Sequence, residues 1–198
     1  MTQARPRDRA RTRHSIIEAV GRLLARQGFK GVGVNAVARE AGVDKVLIYR
    51  YFGGIPQLLK AYAEEGGFWP TQAELLGSGS DTETNLDLAR RALLGLLRWL
   101  RQHPLTLEIM RWELLERNEL TRALARHREE FATRLMRTFR PQPDIDLAAL
   151  GAVLAAGGTY LLLRARTSDV YNGIHLDSEQ EWDRLELALD SLISAALA

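Results

Sequence analysis

The chain has 198 residues, 46% of them hydrophobic and 26% charged, which is long enough to bury a core and close to a soluble globular average. That balance excludes wholesale disorder and fibrous architectures. The absence of cysteine excludes disulfide scaffolds, thiolate zinc sites and a cysteine nucleophile, and it suits a reducing cytoplasm. The net charge of +2 hides an asymmetry: residues 1–60 carry 12 Lys and Arg against 4 Asp and Glu, and residues 61–198 carry 15 against 21. A basic N-terminal module predicts a polyanionic partner for that part of the chain. Because 24 of the 27 basic residues are arginine, a bias that genome composition also produces, their position says more than their number.

The first 14 residues hold Arg5, Arg7, Arg9, Arg11 and Arg13 with only Asp8 opposing them, and no apolar signal-type segment follows, so secretion is not expected. Ile16, Ile17, Val20, Leu23 and Leu24 then form one apolar stripe of a helix that ends at Gly28, read as a left-handed cap with Phe29 as its hydrophobic contact. Val34, Val37, Ala38 and Ala41 predict a short second helix stopped by Gly42. Asp44 is the expected N-cap of a third helix running to Phe52. Gly53 and Gly54 break the chain, and Pro56 suits the first turn of a fourth helix bearing Leu58, Leu59 and Tyr62. Gly66-Gly67, Pro70 and the run Gly77 to Ser80 predict a kink and a loop near the boundary between two modules, 1–60 and 61–198.

Beyond that loop, Ser80 with Glu83 predicts a capping box for a helix whose inner face holds Leu86, Ala89, Leu93, Leu96, Leu97 and Leu100. Pro104 opens the next helix, and another is expected from about Asn118 to Phe139 with Leu120, Leu124, Phe131 and Leu135 on one side. Leu147 to Leu163 runs 17 residues without a charge; diluted by five alanines and three glycines, it is expected to be a buried, close-packed helix rather than a membrane span. Asn172-Gly173 is a turn. Ser178 with Glu181 predicts a second capping box before a helix bearing Trp182, Leu185, Leu189, Leu192, Ile193 and Ala196. No convincing strand emerges, so the expected fold is all-α with about nine helices.

The spacing Ala38-x3-Gly42-x5-Ile48, flanked by Val37, Val43 and Leu47, fits a helix-turn-helix: a small residue where the helices approach, a glycine for the left-handed turn and an apolar plug on the second helix. The spacing alone equally fits an ordinary helical hairpin; the surrounding basic charge favours DNA. The segments Ile16 to Val20, Gln27 to Phe29, Val37 to Lys45, Ile48 to Phe52 and Leu58-Leu59 together resemble the DNA-binding domain of the tetracycline-repressor-like (TetR) regulators over about residues 10–62. The rest of the chain is similar only in general plan.

The resemblance implies a homodimeric transcription factor, usually a repressor, that binds a palindromic double-stranded operator and is released by a small-molecule effector. Carried over by position, Lys45 and Tyr49 match the family's DNA contacts, with Arg50 and Tyr51 adjacent. Val46 and Leu47 replace a usual Gly-Thr pair and either touch thymine methyls or pack. Val32-Gly33 lacks the Thr or Ser that usually starts the second helix, and Gly53-Gly54-Ile55-Pro56 replaces a basic phosphate-contacting segment. These departures leave open a second reading, a helical adaptor or ligand-binding protein that keeps the fold without binding DNA.

In the regulatory module, Trp99, Met110, Trp112, Glu113, Phe131, Tyr160 and Arg164 are candidate effector-binding residues, although each taken singly fits a plain core residue better. Glu113 and Arg164 stand out because a charge on an apolar face needs a partner or a ligand. Gly151, Ala152, Ala155, Ala156 and Gly158 permit close helix approach, and Leu185, Leu189, Leu192 and Ala196 supply a facing ridge, so the last two helices are the expected dimer interface. His14, His103, His127 and His175 are scattered, and no phosphate loop or nucleophile elbow occurs. No enzymatic activity, metal, cofactor or membrane association is therefore expected.

Overall fold

The computed structural model describes residues 6–77 and 83–197. The described residues form ten α-helices: α1 Pro6–Gln27, α2 Val34–Ala41, α3 Lys45–Phe52, α4 Ile55–Glu65, α5 Gln72–Leu76, α6 Asn85–Gln102, α7 Pro104–Glu113, α8 Glu119–Met136, α9 Leu147–Ala165 and α10 Glu179–Leu197. A short 3-10 turn, Phe29–Gly31, links α1 to α2. The all-α expectation holds.

Its details differ in several places. The segment read as a loop contains α5, capped by Thr71, whose hydroxyl accepts from the Glu74 amide while Glu74 accepts from the Thr71 amide. Thr84 and Asp87 make the capping box that opens α6, whereas Ser80, the cap expected from sequence, lies outside the described residues. Asn172-Gly173 is the turn of a small antiparallel hairpin, β1 Val170–Tyr171 with β2 Ile174–His175; both turn residues have positive φ, as a two-residue turn between twisted strands requires. Gly28 is not a left-handed cap: at φ 65 and ψ −169 it turns the chain sharply, and its Cα lies against the Trp112 indole. At Ser178 one half of the expected box is present, the Glu181 amide donating to its hydroxyl at 3.4 Å.

The chain divides into two compact units. The first is Met1–Trp69 with Leu105–Glu129. Its core joins the α1 stripe, Ile16, Ile17, Val20, Leu23 and Leu24, to Val37 and Ala38 of α2, Ile48 and Phe52 of α3, Leu58 and Tyr62 of α4, and Ile109 and Leu124. Every one of these α1 residues is at most 2% exposed, so the helix is anchored by its apolar stripe rather than by its many arginines.

The second unit is Pro70–Pro104 with Glu130–Ala198. Here α6 packs against α5, α9 and α10. Ala89, Ala92, Leu97 and Leu100 of α6 are buried, with Phe131, Leu162, Trp182 and Ile193. On α10, Trp182 and Ile193 are buried, Leu192 is 57% exposed, and Glu186, within the leucine run, is buried and ion-paired to Arg98 and Arg101. The expectation for α9 is overturned, since only 6% of its apolar window is buried and Ala152, Val153, Ala156, Gly157 and Tyr160 face outward. It is also the one helix among the described residues long and apolar enough to cross a membrane.

Candidate nucleic-acid interface

The turn between α2 and α3 is built by local chemistry. Gly42 adopts the left-handed conformation, φ 66 and ψ 33, which a side chain would strain, and the Val43 amide closes on the Ala38 carbonyl at 3.0 Å. Asp44 then caps α3 through its carboxylate, which accepts from the Val46 amide at 2.8 Å. Ile48, fully buried, and Phe52 pin one side of α3 to the core. A helix held from one side must offer the opposite side to solvent. That opposite side is Lys45, Val46, Tyr49 and Arg50, with Val46 at 61% and Tyr49 at 55% exposure.

The two other candidate contacts of α3 lie elsewhere. Leu47 and Tyr51 are half-buried and pack against the core cluster, and the Tyr51 ring meets Phe52 edge-on. Gly33, the N-cap of α2, has no side chain to cap it.

Seven basic residues of α1 to α3 and the turn after α1 fall into two groups. Arg22 and Arg26 of α1 both pair with Glu40 of α2, and Arg13 pairs with Glu65 of α4, with one bond at 2.7 Å, while its guanidinium also covers the Phe52 ring. These partners hold both glutamates below the usual carboxylate range, chiefly by side-chain hydrogen bonds. Such residues brace the helices and spend their charge internally. Lys30, Arg39, Lys45 and Arg50 are exposed and have no ion-pair or hydrogen-bond partner among the described residues. Arg39 was not singled out from sequence; the signal was there, because with Asn35 it occupies the side of α2 opposite Val37 and Ala38.

This arrangement, a capped and exposed helix set beyond a left-handed glycine turn, is what a DNA-reading helix-turn-helix requires. Residues 16–62 match the family of bacterial regulatory proteins known as the tetR family. The match covers the 47 residues from Ile16 to Tyr62, the part of the chain that holds the α2–α3 turn. No curated protein sequence matches the chain. Solved structures share its fold at low identity. A TetR-like transcriptional regulator from Rhodococcus sp. RHA1 is 17% identical with a TM-score of 0.65, covering 97% of each chain. A TetR-family transcriptional regulator from Haemophilus influenzae is 18% identical with a TM-score of 0.63, covering 96% of this chain and 99% of its own. The fatty acid degradation regulator FadR from Bacillus halodurans is 16% identical with a TM-score of 0.66, covering 97% of this chain and 96% of its own.

The candidate effector residues lie in both units. In the first, Met110 packs against the core cluster, Trp112 against Gly28, and Glu113 pairs with Arg128 at 2.7 Å. Glu113 thus has the partner its position demanded. In the second, Trp99 stacks on His103 with ring centroids 3.6 Å apart, Phe131 is buried, and Tyr160 is half-exposed against Tyr171. Arg164 has a buried Nε without a hydrogen-bond partner among the described residues. The second unit also encloses an apolar cavity of about 50 Å³ among α6, α8, α9 and α10, lined by residues that include Ala89, Leu93, Phe139, Leu150 and Ile193 and by none of the seven candidates. Among the described residues no group of His, Asp or Glu could hold a metal ion.

Proposed function

We propose that this chain is a TetR-family transcriptional regulator that binds a palindromic DNA operator as a homodimer, acting as a repressor released by a small molecule. The observation that carries the reading is the outer side of α3: Lys45, Val46, Tyr49 and Arg50 are exposed together, and both cations are unspent, whereas Arg13, Arg22 and Arg26 are tied up in the scaffold. Lys45 sits in the first turn of α3, where side chains reach base edges or phosphates, and Tyr49 offers a hydroxyl to a phosphate oxygen. Lys30 and Arg39 extend the positive surface.

Dimerisation is supported by α9 and α10. Each leaves apolar side chains uncovered in the single chain: Val153 is 70% exposed, Leu187 69% and Leu192 57%. Unpartnered apolar surface of this kind marks an interaction site, and a second copy supplies the same two helices in return. Effector control is supported by the family; among the fold's neighbours, the Bacillus halodurans protein is a regulator of fatty acid degradation. The all-hydrocarbon lining of the second unit's cavity is compatible with an apolar effector group, although its volume of about 50 Å³ is well below that of a typical ligand pocket.

Selection of DNA fragments by the purified protein from a random pool tests the reading. An inverted repeat is expected, because two identical α3 helices about a two-fold axis read two half-sites. Failure to bind any duplex at low salt would favour the adaptor reading.

A further inference from the structure

In the first unit, α8 carries Arg128, whose guanidinium carbon lies 5.6 Å from the centroid of the Phe68 ring and 5.7 Å from that of Trp69. Its Nη1 is 2.7 Å from Glu113 Oε2. The Phe68 ring neighbours both Trp69, at 6.2 Å between centroids, and Tyr62, at 6.4 Å. Glu113 acts electrostatically on Tyr62, whose phenol is pushed up by burial first and by Glu113 second. A positive group set over aromatic rings and countered by a buried carboxylate is the arrangement by which proteins recognise organic cations. Here the chain's own arginine occupies it.

The arrangement is an incomplete structural bridge. The Glu113 side chain is 9% exposed and that of Arg128 22%, so both charges have lost most of their hydration. Glu113 Oε1 is buried and has no hydrogen-bond partner among the described residues. A buried ion pair offsets desolvation best when both carboxylate oxygens are engaged, as in a two-pronged arginine pair. This pair uses one. Burial accordingly dominates, raising the Glu113 pKa despite Arg128. The neighbouring Trp112 adds a second buried polar atom without a partner among the described residues, its Nε1.

We propose that Tyr62, Phe68, Trp69 and Glu113 form a binding site for an organic cation, plugged in this structure by Arg128. The ligand class is a flat or compact cation on an apolar body, such as an amidinium, a guanidinium or a quaternary ammonium. An amidinium satisfies both Glu113 oxygens, where Arg128 satisfies one, and it frees Arg128 to move its charge into water. As the effector site of the regulator, the cage rests on the small-molecule control proposed above.

Calorimetric titration of the full chain with benzamidinium tests this. Weak binding is expected for the wild type and at least tenfold tighter binding for Arg128→Met, because the competing internal cation is gone. Glu113→Gln/Arg128→Met is expected to lose at least tenfold relative to Arg128→Met. No binding by either wild type or Arg128→Met, or equal affinity with and without the Glu113 carboxylate, overturns the proposal. If Arg128→Met does not fold, melting temperatures decide: benzamidinium raises that of the wild type and leaves that of Glu113→Gln unchanged, and equal shifts overturn the site. Binding that leaves the operator affinity of the wild type unaltered overturns the effector role. Failure of the regulator reading shows separately, as absence of DNA binding before any cation is added.

Discussion

Lys45 and Tyr49 reach solvent because Ile48 does not: the core takes Ile48 fully and Leu47 in part, and leaves Lys45, Val46, Tyr49 and Arg50 outside. For Lys45→Ala we expect weaker operator binding with fold and dimer intact. If Lys45 neutralises a phosphate, the salt slope of binding falls by about one on every sequence; if it reads guanine, about 1–3 kcal/mol of discrimination disappears at one base pair. Titrations on operator and scrambled DNA at several salt concentrations separate the two, and unchanged affinity throughout would exclude the role. Tyr49→Phe, which removes only the hydroxyl, is expected to weaken binding less. Gly28 offers a test of a different kind. A Cβ there would lie 2.8 Å from the Trp112 ring at φ 65, so Gly28→Ala is expected to lower stability by more than about 1 kcal/mol, read by urea denaturation. In a Trp112→Leu background the loss should shrink, since only the backbone strain is left.

At the scale of elements, α3 is a helix of eight residues that depends on its ends and its neighbours. Removing the cap with Asp44→Ala is expected to cost about 1 kcal/mol in chemical denaturation. The ion pairs that brace α1 to α2 and α4 carry a pH signature. Glu40 and Glu65 have folded pKa values below their unfolded ones, so their contribution is complete above the ordinary carboxylate range and is lost as pH falls through the lower folded values. Stability curves from pH 7 to pH 3 should therefore fall less steeply for Glu40→Gln than for the wild type. An identical slope would mean that the Arg22 and Arg26 pairs contribute nothing. Glu186 of α10 makes a comparable brace to α6, and it was invisible in the sequence because the heptad-like run of leucines around it pointed to an apolar face.

For the whole molecule, the uncovered side of α9 and α10 is the feature a single chain does not explain. In the proposed dimer, Ala156 lies near the two-fold axis, and Ala156→Glu would bury unpaired charges there, a penalty of several kcal/mol. Sedimentation is expected to show a monomer for this variant and a dimer for the wild type; an unchanged dimer would move the interface elsewhere. Two of the residues expected to face the partner do something else within the chain. Gly158 brings its Cα against Leu97, where a Cβ would sit 3.3 Å from the leucine methyl, and Ala155 lines the same crevice. The outward residues are one step round the helix, Ala152, Val153, Ala156 and Gly157.

Periodicity, caps and breakers determined much of this protein without reference to its tertiary structure. The α1 stripe, the Gly42 turn, the Asp44 cap and the buried Ile48 and Phe52 were all legible, because each depends on residues within a few positions of one another. For the same reason the outer side of α3 was legible by subtraction. Tertiary structure decided the pairings. That Arg22 and Arg26 are spent on Glu40 while Lys45 and Arg50 stay free, and that Glu113 has found Arg128, are outcomes of helices meeting across long stretches of chain, which no local spacing encodes. The orientation of α9 belongs to the same class. A helix apolar on every side has no hydrophobic direction of its own, so its sequence could not say which of its faces the core would take and which it would leave exposed.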